Sequence, residues 1–222
     1  MASELRANKS GFAREVQQKL TEKFDGAEAA KTLRWIRMLK APDGIPERFV
    51  DAVQKIPPNI QSVDMRDYAG YLTDGLVLGY LMACLNPDTT HLLSTVKSWQ
   101  VSDKPIFETS RQRDRIGSFL QFTSKFGVDG AFQFQTDQLY ESTNLTQVVI
   151  CLGQLGVLAQ SKSDYRGPPD FWAQRHKENK REFTEEQLRS GERIIGLQMG
   201  TTTGANASGI TFGSQRRITD SF

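Results

Sequence analysis

The chain has 222 residues, 38% hydrophobic and 24% charged, with 28 basic against 26 acidic side chains and a formal net charge of +2. That length supports one well-cored domain with tails and crowds two, and so balanced a charge sets up no global field toward nucleic acid or an anionic membrane. No run of about 18 apolar residues could span a bilayer, and residues 1–6 lack the apolar core of a secretory signal, so a soluble, cytoplasmic protein is expected.

Helical periodicity dominates up to about residue 160. Residues 12–24 form an amphipathic candidate packed on the outside. Residues 28–40 carry a broad apolar stripe of Ala30, Leu33, Trp35, Ile36, Met38 and Leu39, stopped by Ala41-Pro42-Asp43-Gly44. Residues 43–62 hold Pro46, Pro57 and Pro58 and should be loop with at most a short helix. A run over 71–85 places Leu78, Leu81 and Leu85 at i, i+3 and i+7 before Pro87. Residues 111–126 present Ile116, Phe119, Leu120 and Phe126. Residues 144–158 present Leu145, Val148, Val149, Leu152 and Leu155 behind an Asn144 cap. No strand alternation of comparable length occurs, so an all-α helical bundle is predicted. Cys84 and Cys151 lie in apolar company and are expected as reduced core thiols. Residues 161–170, with Gly167, Pro168 and Pro169, read as an extended linker anchored by Phe171 and Trp172. Residues 174–189 are a charged stretch with almost no apolar stripe.

The next segment is of another kind. From Ile194 to Gln215 there is no charged side chain, and Gly196, Gly200, Gly204, Gly209 and Gly213 punctuate the tract. Glycine at that density costs backbone entropy, and Ile194, Ile195, Leu197, Met199, Ile210 and Phe212 are too few to offset it internally. A phosphate-binding loop would need a Gly-Lys-Ser/Thr ending between strand and helix, which is missing. A paired membrane helix is excluded by Gln198, Thr201, Thr202, Thr203, Asn206 and Ser208. A flexible spacer and a recognition peptide are left, and the apolar side chains between the glycines favour the peptide, since a plain linker has no use for them.

Elsewhere chemistry-bearing patterns are sparse. Arg175, Lys177, Lys180 and Arg181, beside His176, form a candidate auxiliary basic contact, although Glu178 and Glu182 interleave it as in an ordinary solvated helix. His91 and His176 are isolated, no metal-ligand spacing exists, and no nucleophile or acid/base pattern is found, so neither a metal, a cofactor nor an enzyme is expected. Three glycosylation-like triplets, at Asn8, Asn144 and Asn206, are read as chance matches.

The text from Ile194 to Gly213, followed by Arg216 and Arg217, resembles the short repeat that defines the calponin and transgelin family, and occurs here once. Leu72-Thr73-Asp74-Gly75 with Leu78, Leu81, Leu85 and Pro87, the stretch Ile116-Gly-Ser-Phe-Leu-Gln-Phe122, and Gln138 through Val149 together resemble a calponin homology domain. The resemblance continues from Tyr165-Arg166-Gly167 to Gly200, and implies four parts: an N-terminal extension or helix (1–23), a calponin homology domain (24–160), a linker with charged segment (161–193), and one calponin-like repeat in a flexible tail (194–218). It also implies a partner, filamentous actin, and a cytoskeletal role in bundling or stabilising filaments and regulating contractility.

On that resemblance the filament contacts are Ile195, Gly196, Leu197, Gln198, Met199, Gly200, Thr201, Gly204, Gly209, Ile210, Phe212 and Gly213, with Arg216 and Arg217 pairing with the acidic actin surface. Relatives often carry a lysine where this chain has Thr203 and a phosphorylatable serine where it has Asn206. Thr201 keeps the family's threonine and is the candidate phosphorylation site; about two added negative charges there would oppose an acidic filament. The implied protein is monomeric and binds neither nucleic acid nor membrane. The alternative is a signalling adaptor whose single calponin homology domain docks regulatory proteins.

Overall fold

A computed structural model describes residues 11–174 and 184–186, with the side chains of residues 12–14, 16 and 17 excepted. The chain divides into two compact units, Met1–His176 and Lys177–Phe222. Among the described residues the first unit holds nine α-helices and three short 3-10 turns in succession, and no strand occurs. The chain is all-α, as its periodicity predicts.

Capping chemistry sets the ends of these helices. The first, α1 (Phe12–Glu22), leaves Glu15, Gln18 and Lys19 exposed and is tied inward where the Thr146 hydroxyl donates to the Leu20 carbonyl at 3.5 Å. Helix α2 (Gly26–Met38) starts two residues earlier than the apolar stripe indicates, because Asp25 accepts from the Ala27 and Glu28 amides at 2.8 and 3.1 Å. The proline-rich stretch contains one short helix, α3 (Glu47–Gln54), which buries Phe49, Ala52 and Val53.

The apolar run over 71–85 divides in two. Helix α4 (Met65–Leu72) stops at Thr73, and α5 (Leu76–Leu85) leaves at an angle of 65°. Periodicity cannot show this break, since both sides of it are apolar. The turn itself causes it: Gly75 takes φ 75°, a left-handed conformation costly for side-chain-bearing residues, and a β-carbon there would press on the Cβ of Arg115. Asp74 caps the new helix by accepting from the Leu76 amide at 2.8 Å.

Helix α5 is the centre of the core. Every residue from Leu76 to Cys84 is buried, and the helix packs against α3 on one side and α7 on the other. An all-round apolar helix of this kind is stable only when enclosed. After the short α6 (Thr90–Thr95), helix α7 (Pro105–Phe126) begins six residues before the predicted segment, with Pro105 preset for a first turn. It buries Ile116, Phe119 and Phe122, and Phe119 stacks near Phe122 and Phe134 at ring separations of 6.5 and 6.3 Å. A single turn, α8 (Thr136–Tyr140), leads to α9 (Leu145–Gln160), which lies against α2.

Asn144 caps α9 as the sequence predicts, its side-chain oxygen accepting from the Gln147 amide at 3.2 Å. Asn144→Ala is expected to lower stability by about 1 kcal/mol, read as a shift of the urea midpoint with an unchanged slope. A midpoint equal to the parent's would show that the cap carries no weight.

The stretch 161–172 folds back over the core. Tyr165 is half-buried and accepts from the Trp35 indole N–H at 2.8 Å. Trp172 is only 6% exposed and stands edge-on to Trp35, 5.5 Å between centroids. The Trp172 amide and carbonyl are both held by the Gln160 side chain, at 2.8 and 2.7 Å. Phe171 and Trp172 are thus anchors, as expected, and Tyr165 joins them.

Candidate functional site

The fourteen predicted filament contacts from Ile195 to Arg217, including Thr201, lie outside the described residues, and so do Arg175, Lys177, Lys180 and Arg181. Only the helical unit has describable geometry, and two of its surfaces are concave.

The first lies along the outer face of α2. Ala30, Leu33, Trp35 and Ile36 point into the core, so the helical period turns Lys31, Arg34 and Met38, at i, i+3 and i+7, to the outside. Arg37 follows the same edge, and Lys40 stands just past the helix end. Met38 is shared by two neighbouring depressions: one of about 470 Å³ reaches Pro58, Asn59 and Phe171, and one of about 680 Å³ reaches Lys40, Arg166 and the Gly167-Pro168-Pro169 strap. Among the described residues, the lining of these two carries five cations and no carboxylate.

Each cation is held differently. Arg37 is anchored, its Nη1 donating to the carbonyls of Ile56, Gln54 and Val53 at 2.6, 3.2 and 3.3 Å. Lys31 sits 5.0 Å above the Trp172 ring and 3.6 Å from the Glu28 carboxylate. Arg34 reaches only Gln61, at 3.5 Å, and its Nε is buried with no acceptor among the described residues. Lys40 and Arg166 are exposed. The apolar stripe dominates the periodicity of α2 and hides this row. The signal for it is present, since cations recur every third residue between the apolar positions.

The second concave surface, a depression of about 620 Å³, lies between α5, α6 and α7. Met82, Leu85 and Phe122 line it, Leu92 and Val96 are exposed beside it, and its rim carries both signs, Lys125 and Lys162 against Asp88 and Asp164. It has no charge preference to offer a ligand.

Chemistry beyond binding finds little material here. Cys84 and Cys151 are free and buried, and burial pushes both thiols up to about 12, which suppresses the nucleophilic thiolate. No group of three His, Cys, Asp or Glu side chains among the described residues could hold a metal ion. No single described helix is long and apolar enough to cross a membrane.

An all-α unit with a cationic, partly apolar surface is followed along the chain by an uncharged, glycine-punctuated tract. Residues 195–218 match the family model for the calponin family repeat. The matched stretch covers the tract and stops short of the helical unit. It supports membership of the calponin family through the repeat alone.

Proposed function

We propose that this protein is a non-catalytic cytoskeletal side-binder of filamentous actin, of the transgelin and muscle-protein-20 kind, whose helical unit is a calponin homology domain and whose repeat touches the filament. The observation that carries this reading is the match of residues 195–218 to the calponin family repeat. The physical argument agrees with it. The composition of the tract, charge-free and rich in glycine, suits contact with another surface. There the glycines let the backbone lie close, and Leu197, Met199, Ile210 and Phe212 supply apolar contact. Arg216 and Arg217 close the segment with charges of the sign an acidic filament attracts. Ordering such a segment consumes on the order of 2–5 kcal/mol of its gross contact energy, so one copy binds weakly, with a dissociation constant on the order of micromolar. A monomer that bundles needs a second surface, with the two weak contacts acting through effective concentration.

Cosedimentation with filamentous actin tests the reading. Ending the chain after Arg189 should reduce pelleting about tenfold or more, and Leu197→Ala with Met199→Ala should weaken it without moving the melting temperature. Equal pelleting of the full and shortened chains would remove the repeat from the mechanism.

A further inference from the structure

The stretch 161–172 is held to the helices near its two ends and not between them. Beyond the last turn of α9, three hydrogen bonds among the described residues join it to the helical body: the Trp35 indole N–H donates to Tyr165, and the Gln160 side chain grips the amide and carbonyl of Trp172. Residues 166–170 add none to the helices, and Asp170 accepts from the Gln174 side chain at 2.9 Å. Pro168 and Pro169 fix two φ angles in that interval, so the stretch is stiff enough to carry motion from one end to the other.

Closure carries two local costs. Asp170 takes φ 52°, a left-handed conformation that side-chain-bearing residues adopt at a penalty. Trp172 is buried with its indole N–H lacking an acceptor among the described residues, a donor that water would satisfy once the ring is released. Shape offsets these costs. The Trp172 ring lies between Trp35 and Gly156, and Gly167 passes so close to Tyr165 that a β-carbon there would collide with the hydroxyl. One aromatic wedge and three hydrogen bonds oppose release and two unfavourable features promote it, the balance of an element that opens below the cost of global unfolding.

We propose that the strap from Lys162 to Trp172 is a latched lid, which swings as one body about the turn at 161–164 while the helices stay folded. Trp172 in its cleft and Tyr165 against Trp35 are the latches. At the base of the lid, Lys162, Asp164, Tyr165 and Arg166 close a small depression whose lining includes Cys84. Opening uncovers that thiol and the cleft between Trp35 and Gly156. It also moves the point at which the chain leaves the helices from Trp172 back to Gln160, which adds twelve residues to the stretch ahead of residue 195, about 40 Å when extended. A change in connection length changes the effective concentration of whatever the chain carries beyond it, so the lid is a regulatory device as well as a support.

The test is alkylation of the full chain with iodoacetamide in native buffer. Rates at Cys84 and Cys151 are read by peptide mass spectrometry, each divided by the same thiol's rate in the urea-unfolded chain. Cys151 has no exposed surface and sits within α9, so it is reached only when the helical body unfolds. Cys84 should react about tenfold faster or more. Trp172 does not line the depression that holds Cys84, yet Trp172→Phe should accelerate Cys84 about tenfold or more, because the two ends of the lid move together. Tyr165→Phe should accelerate it about fivefold, the value of one hydrogen bond. Asn144→Ala weakens the helical body at a cap the lid does not touch, so Cys151 should react about fivefold faster while Cys84 stays within about twofold of the parent. Equal rates for the two thiols in the parent, or an Asn144→Ala that accelerates Cys84 as much as Cys151, would reduce the motion to unfolding of the whole unit and overturn the proposal. A Cys84 rate untouched by Trp172→Phe or by Tyr165→Phe overturns it as well, since the thiol would then be reached without the lid.

Discussion

Arg115→Met is expected to lower the stability of the helical unit by about 3–5 kcal/mol, the magnitude for removing one member of a buried ion pair. Arg115 has no exposed surface, yet it is a cation in the core. Its burial is tolerated because its donors are almost fully used: Nε gives to the Ser98 carbonyl at 2.7 Å, Nη1 to the Asp74 carbonyl at 2.7 Å and the Glu108 carboxylate at 2.8 Å, and Nη2 to the Gln100 carbonyl at 3.1 Å. Glu108 in turn accepts from the Ser102 amide at 2.7 Å. One guanidinium thus ties the α4–α5 turn, the loop before α7 and α7 itself. Methionine fills the volume but leaves the Glu108 carboxylate without its cation and the Ser98 and Asp74 carbonyls without this donor, while the Gln100 carbonyl keeps Arg111 at 2.9 Å. The melting temperature should fall on the order of 10 °C. Arg115→Met with Glu108→Met should cost less than Arg115→Met alone, since the stranded charge is then gone. An unchanged melting temperature for the single variant would mean that water replaces the guanidinium, and that the network does not organise these loops.

The sequence shows the helices far better than it shows this network. Positions 116 and 119 announce the buried face of α7 by their spacing, but Arg115 sits in the run Arg111-Gln-Arg-Asp-Arg115, which reads as solvated surface. The clue was positional: Glu108, Arg115, Phe119 and Phe122 share one helical face, so a cation spaced four residues before a core phenylalanine had to be satisfied internally. The Leu72-Thr73-Asp74-Gly75 motif was legible, and the cap that Asp74 makes to the Leu76 amide is local. The break that the motif imposes between α4 and α5 was less so, since apolar residues continue across it and only the left-handed glycine decides it. The repeat was legible for the opposite reason. Its composition, uncharged and rich in glycine, sets the tract apart, and the family match lies there. The α2 cations fall between these cases. Their spacing is visible in the sequence, but the strap that brings Arg166 and Phe171 beside them is fixed by Trp35 and Gln160, long-range partners that no local pattern reveals.

That strap carries the other large expectation. A chain ended at Gln160 should be less stable than one ended at Gln174 by about 3–5 kcal/mol or more, the range for deleting one large buried aromatic. Three interactions vanish together: the edge-on contact of Trp172 with Trp35, the hydrogen bond from the Trp35 indole to Tyr165, and the pair of bonds by which Gln160 holds the Trp172 backbone. Gly156 is part of the same arrangement, because a β-carbon there would collide with the Trp172 indole. Trp172→Ala in the full chain isolates the ring and should account for most of the loss. Trp172→Phe should cost roughly half as much or less, since the indole N–H of Trp172 has no acceptor among the described residues and most of the ring contact survives. Thermal unfolding of the four chains decides the matter. If ending at Gln160 leaves the midpoint where ending at Gln174 puts it, then the strap rests on the surface without supporting it, and the helical domain closes with α9. If the losses follow the predicted order, the domain extends through Trp172, and the chain that continues toward the repeat leaves from a residue locked into the core.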